Sequence, residues 1–227
     1  MIKKTIIKIE NLNKNFFLKK SKLHILKNFN LNIYSHDIIS IKGPSGCGKS
    51  TFLNIIGMLD SNFEGSYDFM NESVISMTEK NKNIIRNQSI GFVHQFFHLI
   101  PELSVWENVA LPKMIGTNNS PESLETAKLL IQNFELSDRI NFKPINLSGG
   151  EQQRVAIARS MINNPKIIIA DEMTGNLDEN TSDKIFDFFL KEIKKNKQSV
   201  VFVTHNEKYA DKANIRYQIV KSNLNRL

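Results

Sequence analysis

The stretch Gly43-Pro44-Ser45-Gly46-Cys47-Gly48-Lys49-Ser50-Thr51 constrains this chain more than any other. It fits the pattern G-x-x-x-x-G-K-[ST]. It follows the apolar run Ile38-Ile39-Ser40-Ile41 and precedes a helical pattern from Lys49 to Leu59. A strand, a glycine-rich loop and a helix in that order build a phosphate-binding loop. The glycines let consecutive backbone N–H groups converge on one phosphate chain. The helix N-terminus adds a partial positive charge. Lys49 supplies a full charge for the β- and γ-phosphates, and the Ser50 hydroxyl can ligate Mg²⁺. The stretch therefore implies binding of a nucleoside triphosphate.

The 227 residues suffice for one domain, or one domain with a subdomain. No apolar run reaches the ~18–20 residues that cross a bilayer. Met1 to Lys8 has charge but no continuous apolar core, so it does not read as a signal peptide. A cytoplasmic protein is expected. The lone Cys47 excludes an internal disulfide. A net charge of +7 admits nucleic acid or an acidic membrane surface as partner. The lysines are scattered, however, and the densest group, Lys191, Lys194, Lys195 and Lys197, closes a helix pattern where cations complement the dipole.

Along the chain, Thr5 to Glu10 and Asn30 to Tyr34 read as strands, with a polar loop from Lys14 to Lys22 between them. Phe16 and Phe17 in that loop are either core or a stacking surface for a base. Gly65 to Phe69 is a short strand, and Asn71 to Arg86 a loop with a short helix. Ser89 to His94 reads as a buried strand with Gln95 at its end. Gln95 is either a surface amide or a ligand for Mg²⁺ or the attacking water. Ser104-Val105-Trp106-Glu107 is a capping-box pattern. Its helix should end or kink near Pro112. Another helix starts at Ser120-Pro121-Glu122 and lays Leu124, Ala127, Ile131 and Phe134 on one face.

Leu147-Ser148-Gly149-Gly150-Glu151-Gln152-Gln153 opens the next helix. It is either a plain cap or a second anion site, one that serves a nucleotide held by another copy. Lys166 to Glu172 is a buried strand ending on two acids. Buried carboxylates are costly unless they meet a metal or a proton-transfer task. Asp171 can hold Mg²⁺ through water, and Glu172 can polarise the attacking water. Asn180 to Lys195 reads as a helix and Gln198 to Val203 as a strand. That strand carries His205 to the edge where Gln95 and Glu172 are expected, outside the carboxyl ends of the strands. Arg216 to Val220 is a further strand candidate.

The order of these motifs resembles the nucleotide-binding subunit of ABC transporters over nearly the whole chain. Gly43 to Ser50 looks like Walker A and Gln95 like the Q-loop. Leu147 to Gln153 looks like the signature motif, Ile167 to Asp171 like Walker B and Glu172 like the catalytic glutamate. Asn176 to Asp178 looks like the D-loop and His205 like the switch histidine. The resemblance implies an α/β fold: a P-loop NTPase ABC cassette with a RecA-like core, a small antiparallel β subdomain and a helical subdomain. Residues 1–227 would form a single nucleotide-binding domain, with core and β subdomain about 1–95 and 160–227 and the helical subdomain about 96–159.

The resemblance further implies a head-to-tail homodimer binding ATP and Mg²⁺. Each ATP would lie between Gly43–Thr51 of one copy and Ser148, Gly149 and Gly150 of the other, with Asp178 alongside. Phe16 would stack on adenine, with Phe17 a competitor for that role. Glu172, His205 and Gln95 would be catalytic, and Ser50, Gln95 and Asp171 would hold the metal. Met173 stands where the family usually has Pro, which bears on the turn carrying Glu172.

Within the family, Arg86 to Pro101, Glu107 to Pro112 and Thr174 to Asp178 look like the lipoprotein-releasing ATPases and their relatives among macrolide exporters. His98-Leu99-Ile100-Pro101 and Asn180 to Phe186 favour lipoprotein release. Ser222-Asn223-Leu224 lacks the usual Asp-Gly turn, which leaves the final hairpin open. The implied protein is peripheral, on the cytoplasmic face of the inner membrane. It would dock on two integral membrane subunits and touch neither cargo nor nucleic acid. Phe96, Phe97, Leu99 and Trp106 are either the apolar part of the docking surface or core. The rivals are a macrolide-export or cell-division ATPase, a nucleic-acid-linked ABC ATPase, and a P-loop kinase.

Overall fold

A computed structural model describes residues 3–18, 21–117 and 120–227, with the backbone alone at 17, 18, 21, 22 and 120. In chain order the elements are β1 (Thr5–Leu18), β2 (Ser21–Tyr34), β3 (Ile38–Lys42), α1 (Lys49–Ile56), β4 (Glu64–Phe69), β5 (Glu72–Ser73) and α2 (Glu79–Ser89). There follow β6 (Ile90–Val93), α3 (Val105–Thr117), α4 (Ser120–Asn133), α5 (Gly149–Met161), β7 (Ile167–Asp171) and α6 (Glu179–Lys195). The chain closes with β8 (Ser199–Val203), α7 (Glu207–Ala210), β9 (Ile215–Val220) and β10 (Asn223–Arg226). Two compact units result, one of Met1–Asn83 with Lys197–Leu227 and one of Ile84–Asn196.

The first unit holds two sheets. One is antiparallel, in the order β2-β1-β4-β5. In the other, β3 lies between β8 and β9 and runs parallel to both, while β10 pairs antiparallel with β9. Ile38–Ile41 and Ser199–Val203 are buried throughout, as expected of parallel strands covered on both faces. Phe29 of β2 meets Phe52 of α1 with ring centroids 5.4 Å apart. The Tyr67 hydroxyl donates to the carbonyl of Ile56 at 2.6 Å, and full burial pushes its pKa well above the usual phenol value.

Where it is described, the polar segment from Lys14 to Lys22 is strand rather than loop; Lys19 and Lys20 lie outside the described residues. Phe16 pairs with Leu23, Phe17 with Lys22 and Leu18 with Ser21, so β1 and β2 continue as a ribbon. Polar residues on both faces left no alternation to read. The closing hairpin also forms without Asp-Gly. Lys221 and Ser222 take the two positive-φ positions, at 47° and 62°. Ser222 is held on both sides: its carbonyl accepts from Lys27 N at 2.7 Å, and its hydroxyl donates to the carbonyl of His24 at 2.9 Å.

In the second unit β6 and β7 pair in parallel, and α3 packs on α4 and α5. Ala127, Ile131 and Phe134 are fully buried as the helical face requires, and Leu124 is half-buried. The capping box at the start of α3 is present, with Glu107 Oε2 accepting from Ser104 N at 2.7 Å. The helix does not stop at Pro112 but runs to Thr117. Pro112 costs one backbone donor, and Asn87 Nδ2 donates to the Pro112 carbonyl at 2.8 Å. Ser89 belongs to α2 rather than to the strand that follows. No helix among the described residues is long and apolar enough to cross a membrane.

Candidate functional site

In the first unit the phosphate loop leaves the carboxyl end of β3 and enters α1. Gly48 occupies the N-cap with φ 103°, a conformation that suits glycine, and no side chain caps the helix. A Cβ there would lie 2.8 Å from Ile25 Cγ2 and 2.9 Å from Leu26 Cδ2, so the loop sits hard against β2. Lys49 is 7% exposed, and its ammonium donates to the carbonyls of Gly43 (2.9 Å) and Pro44 (3.2 Å). The lysine thus curls over the loop whose N–H groups it accompanies. Pro44, Ser45, Gly46 and Ser50 are exposed, and Cys47 and Thr51 half-buried.

His205 lies in the same unit, two residues past β8, the neighbour of β3. The segment is tied down on either side of it. Thr204 N donates to the carbonyl of Ile41 at 3.3 Å, and Lys42 pairs with Glu207 at 2.5 Å. Phe16 is 46% exposed on β1. The side chain of Phe17 lies outside the described residues.

In the second unit, Gln95 and the acids Asp171 and Glu172 emerge at the same end of the β6–β7 pair, where Val93 is level with Ala170. Asn176 clasps Gln95. Its Nδ2 donates to the Gln95 carbonyl at 2.9 Å, and Gln95 Nε2 reaches Asn176 Oδ1 at 3.4 Å. Glu172 has φ 40°, a turn held by Gly175 N donating to the Glu172 carbonyl at 2.9 Å. Met173, the next residue, is buried.

Ser148 caps α5 through a full capping box. Its hydroxyl donates to Glu151 Oε2 at 2.9 Å, and its N–H donates to the same oxygen at 2.8 Å. The Ser148 backbone N–H is the main reason that the Glu151 carboxyl is held below the usual range; the Ser148 hydroxyl and Arg139, with Nε 3.0 Å away, add to it. Asp178 caps α6, accepting from Thr181 N at 3.0 Å. Ser148, Gly149, Gly150, Asn176 and Asp178 line one open pocket of about 410 Å³. Phe96 is 64% exposed, while Phe97, Leu99 and Trp106 are half-buried.

Three of these features carry no mark in the sequence pattern. Arg139 and Lys42 make ion pairs with Glu151 and Glu207, 12 and 165 positions along the chain, and Asn176 lies within a motif that gives it no role of its own.

A phosphate loop in one unit, and in the other a capped Ser-Gly-Gly helix start together with acids at the end of a buried strand, define a nucleotide-hydrolysing P-loop cassette. The family model described as "ABC transporter" matches residues 26–175, and the chain belongs to that family. It is an ABC ATPase, whose hydrolysis of ATP is coupled to transport. The lipoprotein-releasing system ATP-binding protein LolD of Wigglesworthia glossinidia brevipalpis is 42% identical over 219 residues, 96% of each chain. The macrolide export ATP-binding/permease protein MacB of Bdellovibrio bacteriovorus is 40% identical over 92% of this chain and 32% of its own length. Among solved structures, the dimeric post-hydrolysis cassette MJ0796 bound to ADP and Pi superposes with a TM-score of 0.87 at 38% identity, covering 96% of each chain.

Proposed function

We propose that this chain powers the release of lipoproteins from the inner membrane toward a periplasmic carrier. The observation that carries the reading is the near full-length likeness to a lipoprotein-releasing ATPase. In this reading the chain is peripheral, on the cytoplasmic face of the inner membrane, and two copies act head to tail on two integral membrane subunits. Phe96 would lead the docking surface, and the cargo would never touch this subunit. The overlap with the macrolide exporter supports macrolide export as a second reading.

Each ATP would be bound by Gly43–Thr51 of one copy and by Ser148, Gly149 and Gly150 of the other, with Asp178 beside them and adenine on Phe16. Lys49 would turn from the loop carbonyls to the β- and γ-phosphates. Glu172 would take the proton of the attacking water as its oxygen bonds to the γ-phosphorus and the bond to ADP breaks. His205 would hold the γ-phosphate and Gln95 the water.

Ser50, Gln95 and Asp171 offer oxygen donors, which suit Mg²⁺. The described residues contain no cluster of His, Cys, Asp and Glu able to hold a metal alone. These three would hold the ion. When bound, it would neutralise charge on the phosphates.

Glu172→Gln tests the assignment. It should cut hydrolysis by about a hundredfold or more while keeping ATP binding and allowing an ATP-dependent dimer on size exclusion. Wild-type turnover in that variant would refute the role of Glu172.

A further inference from the structure

We propose that Lys14 is a positioning residue for the adenine end of the ATP site, fixing the Phe16 ring and tying it to the end of the phosphate-loop helix. The inference rests on the reading of Phe16 as the adenine platform.

Lys14 is 4% exposed, although an ammonium is costly to bury unless it is paired. Its Nζ lies 2.7 Å from Asp60 Oδ2, 3.0 Å from Oδ1 and 2.5 Å from the carbonyl of Asn62. Asp60 and Asn62 belong to the segment just after α1, the helix that Lys49 begins. That segment is itself fastened: Asp60 N donates to the carbonyl of Asn54 at 3.2 Å, and Asn62 N to Asp60 Oδ1 at 2.8 Å. The same ammonium sits 5.2 Å from the centroid of the Phe16 ring, within cation–π range.

An aromatic ring that is nearly half exposed would otherwise sample rotamers, and binding a base would have to stop that motion. A cation anchored in the body of the unit keeps the ring in one place beforehand. The ribbon reaches the phosphate loop as well. Leu26, the cross-strand partner of Lys14, is one of the residues that a Cβ on Gly48 would strike. The base platform and the phosphate loop are therefore registered through two routes, one polar through Asp60 and one apolar through Leu26.

The test compares equilibrium binding of ATP with that of inorganic tripolyphosphate, each with magnesium. The proteins are the wild type, Lys14→Met, Asp60→Asn, Phe16→Ala and the Lys14→Met/Phe16→Ala double variant. Lys14→Met should weaken ATP by about fivefold or more and leave tripolyphosphate unchanged. It should add nothing in the Phe16→Ala background. Asp60→Asn, which keeps the lysine but loosens its anchor, should show the same loss for ATP alone, and serves if Lys14→Met folds poorly. Equal losses for ATP and tripolyphosphate would mean that the lysine supports the phosphate loop, overturning the proposal. Unchanged ATP binding in Lys14→Met, with a loss in Phe16→Ala, would overturn it and leave the platform standing. Unchanged ATP binding in Phe16→Ala would remove the platform and the proposal together.

Discussion

Replacing Gly48 with alanine separates two costs that the phosphate loop imposes on its sequence. The backbone there has φ 103°, and holding an L-residue in such a conformation costs about 1–3 kcal/mol. The new Cβ would also stand 2.8 Å from Ile25 Cγ2, 2.9 Å from Leu26 Cδ2 and 3.2 Å from the Ile25 carbonyl. Forcing β2 away from a packed contact adds about 1–3 kcal/mol. The sum, about 2–6 kcal/mol, is a large fraction of the stability of an ordinary domain. Gly46→Ala is the control. Its φ is 77°, but nothing lies within 4 Å of the added Cβ. It should pay the backbone cost alone, about 1–3 kcal/mol. Urea unfolding of both variants, followed by circular dichroism, reads the difference. Gly48→Ala should lose about 1–3 kcal/mol more than Gly46→Ala. Equal losses would refute the claim that the loop is seated against Ile25 and Leu26.

Two further outcomes follow from the second unit. Asn108 is fully buried, accepts from Ile100 N at 2.8 Å and donates to the carbonyls of Ile100, Leu103 and Ser104 at 3.0–3.1 Å. Asn108→Ala should cost about 1–3 kcal/mol and speed hydrogen exchange at the Ile100 amide; unchanged exchange would count against this anchoring. The depressed Glu151 carboxyl should contribute stability to the start of α5 above the ordinary carboxylate range and lose it as pH falls through its lower folded value. The melting-temperature gap between wild type and Glu151→Gln should therefore shrink as the medium is acidified, and a gap independent of pH would contradict it.

The phosphate loop, the Ser-Gly-Gly helix start and the strand-end acids were legible because each motif is contiguous and its chemistry demands fixed residue types. What was not legible depends on partners distant in sequence. Lys14 reads as one more polar residue until Asp60, forty-six positions on, is brought beside it. The ribbon through Phe16 has no alternation, because much of it is polar and its pairing is supplied by β2. Pro112 gives a strong local signal to stop a helix, yet the helix runs on to Thr117, with Asn87, distant in sequence, donating to the Pro112 carbonyl. The last turn adopts two positive φ angles without glycine, because Lys27 and His24 hold Ser222 from outside the hairpin.

The most direct test of the account is to trap the Glu172→Gln variant with ATP in solubilised native membranes and identify what accompanies it by mass spectrometry. The account predicts two membrane subunits with large periplasmic domains, together with lipoproteins. An export pump or a division complex would contradict lipoprotein release while leaving the ATPase in place. Nucleic acid without any membrane protein would contradict the transporter role itself.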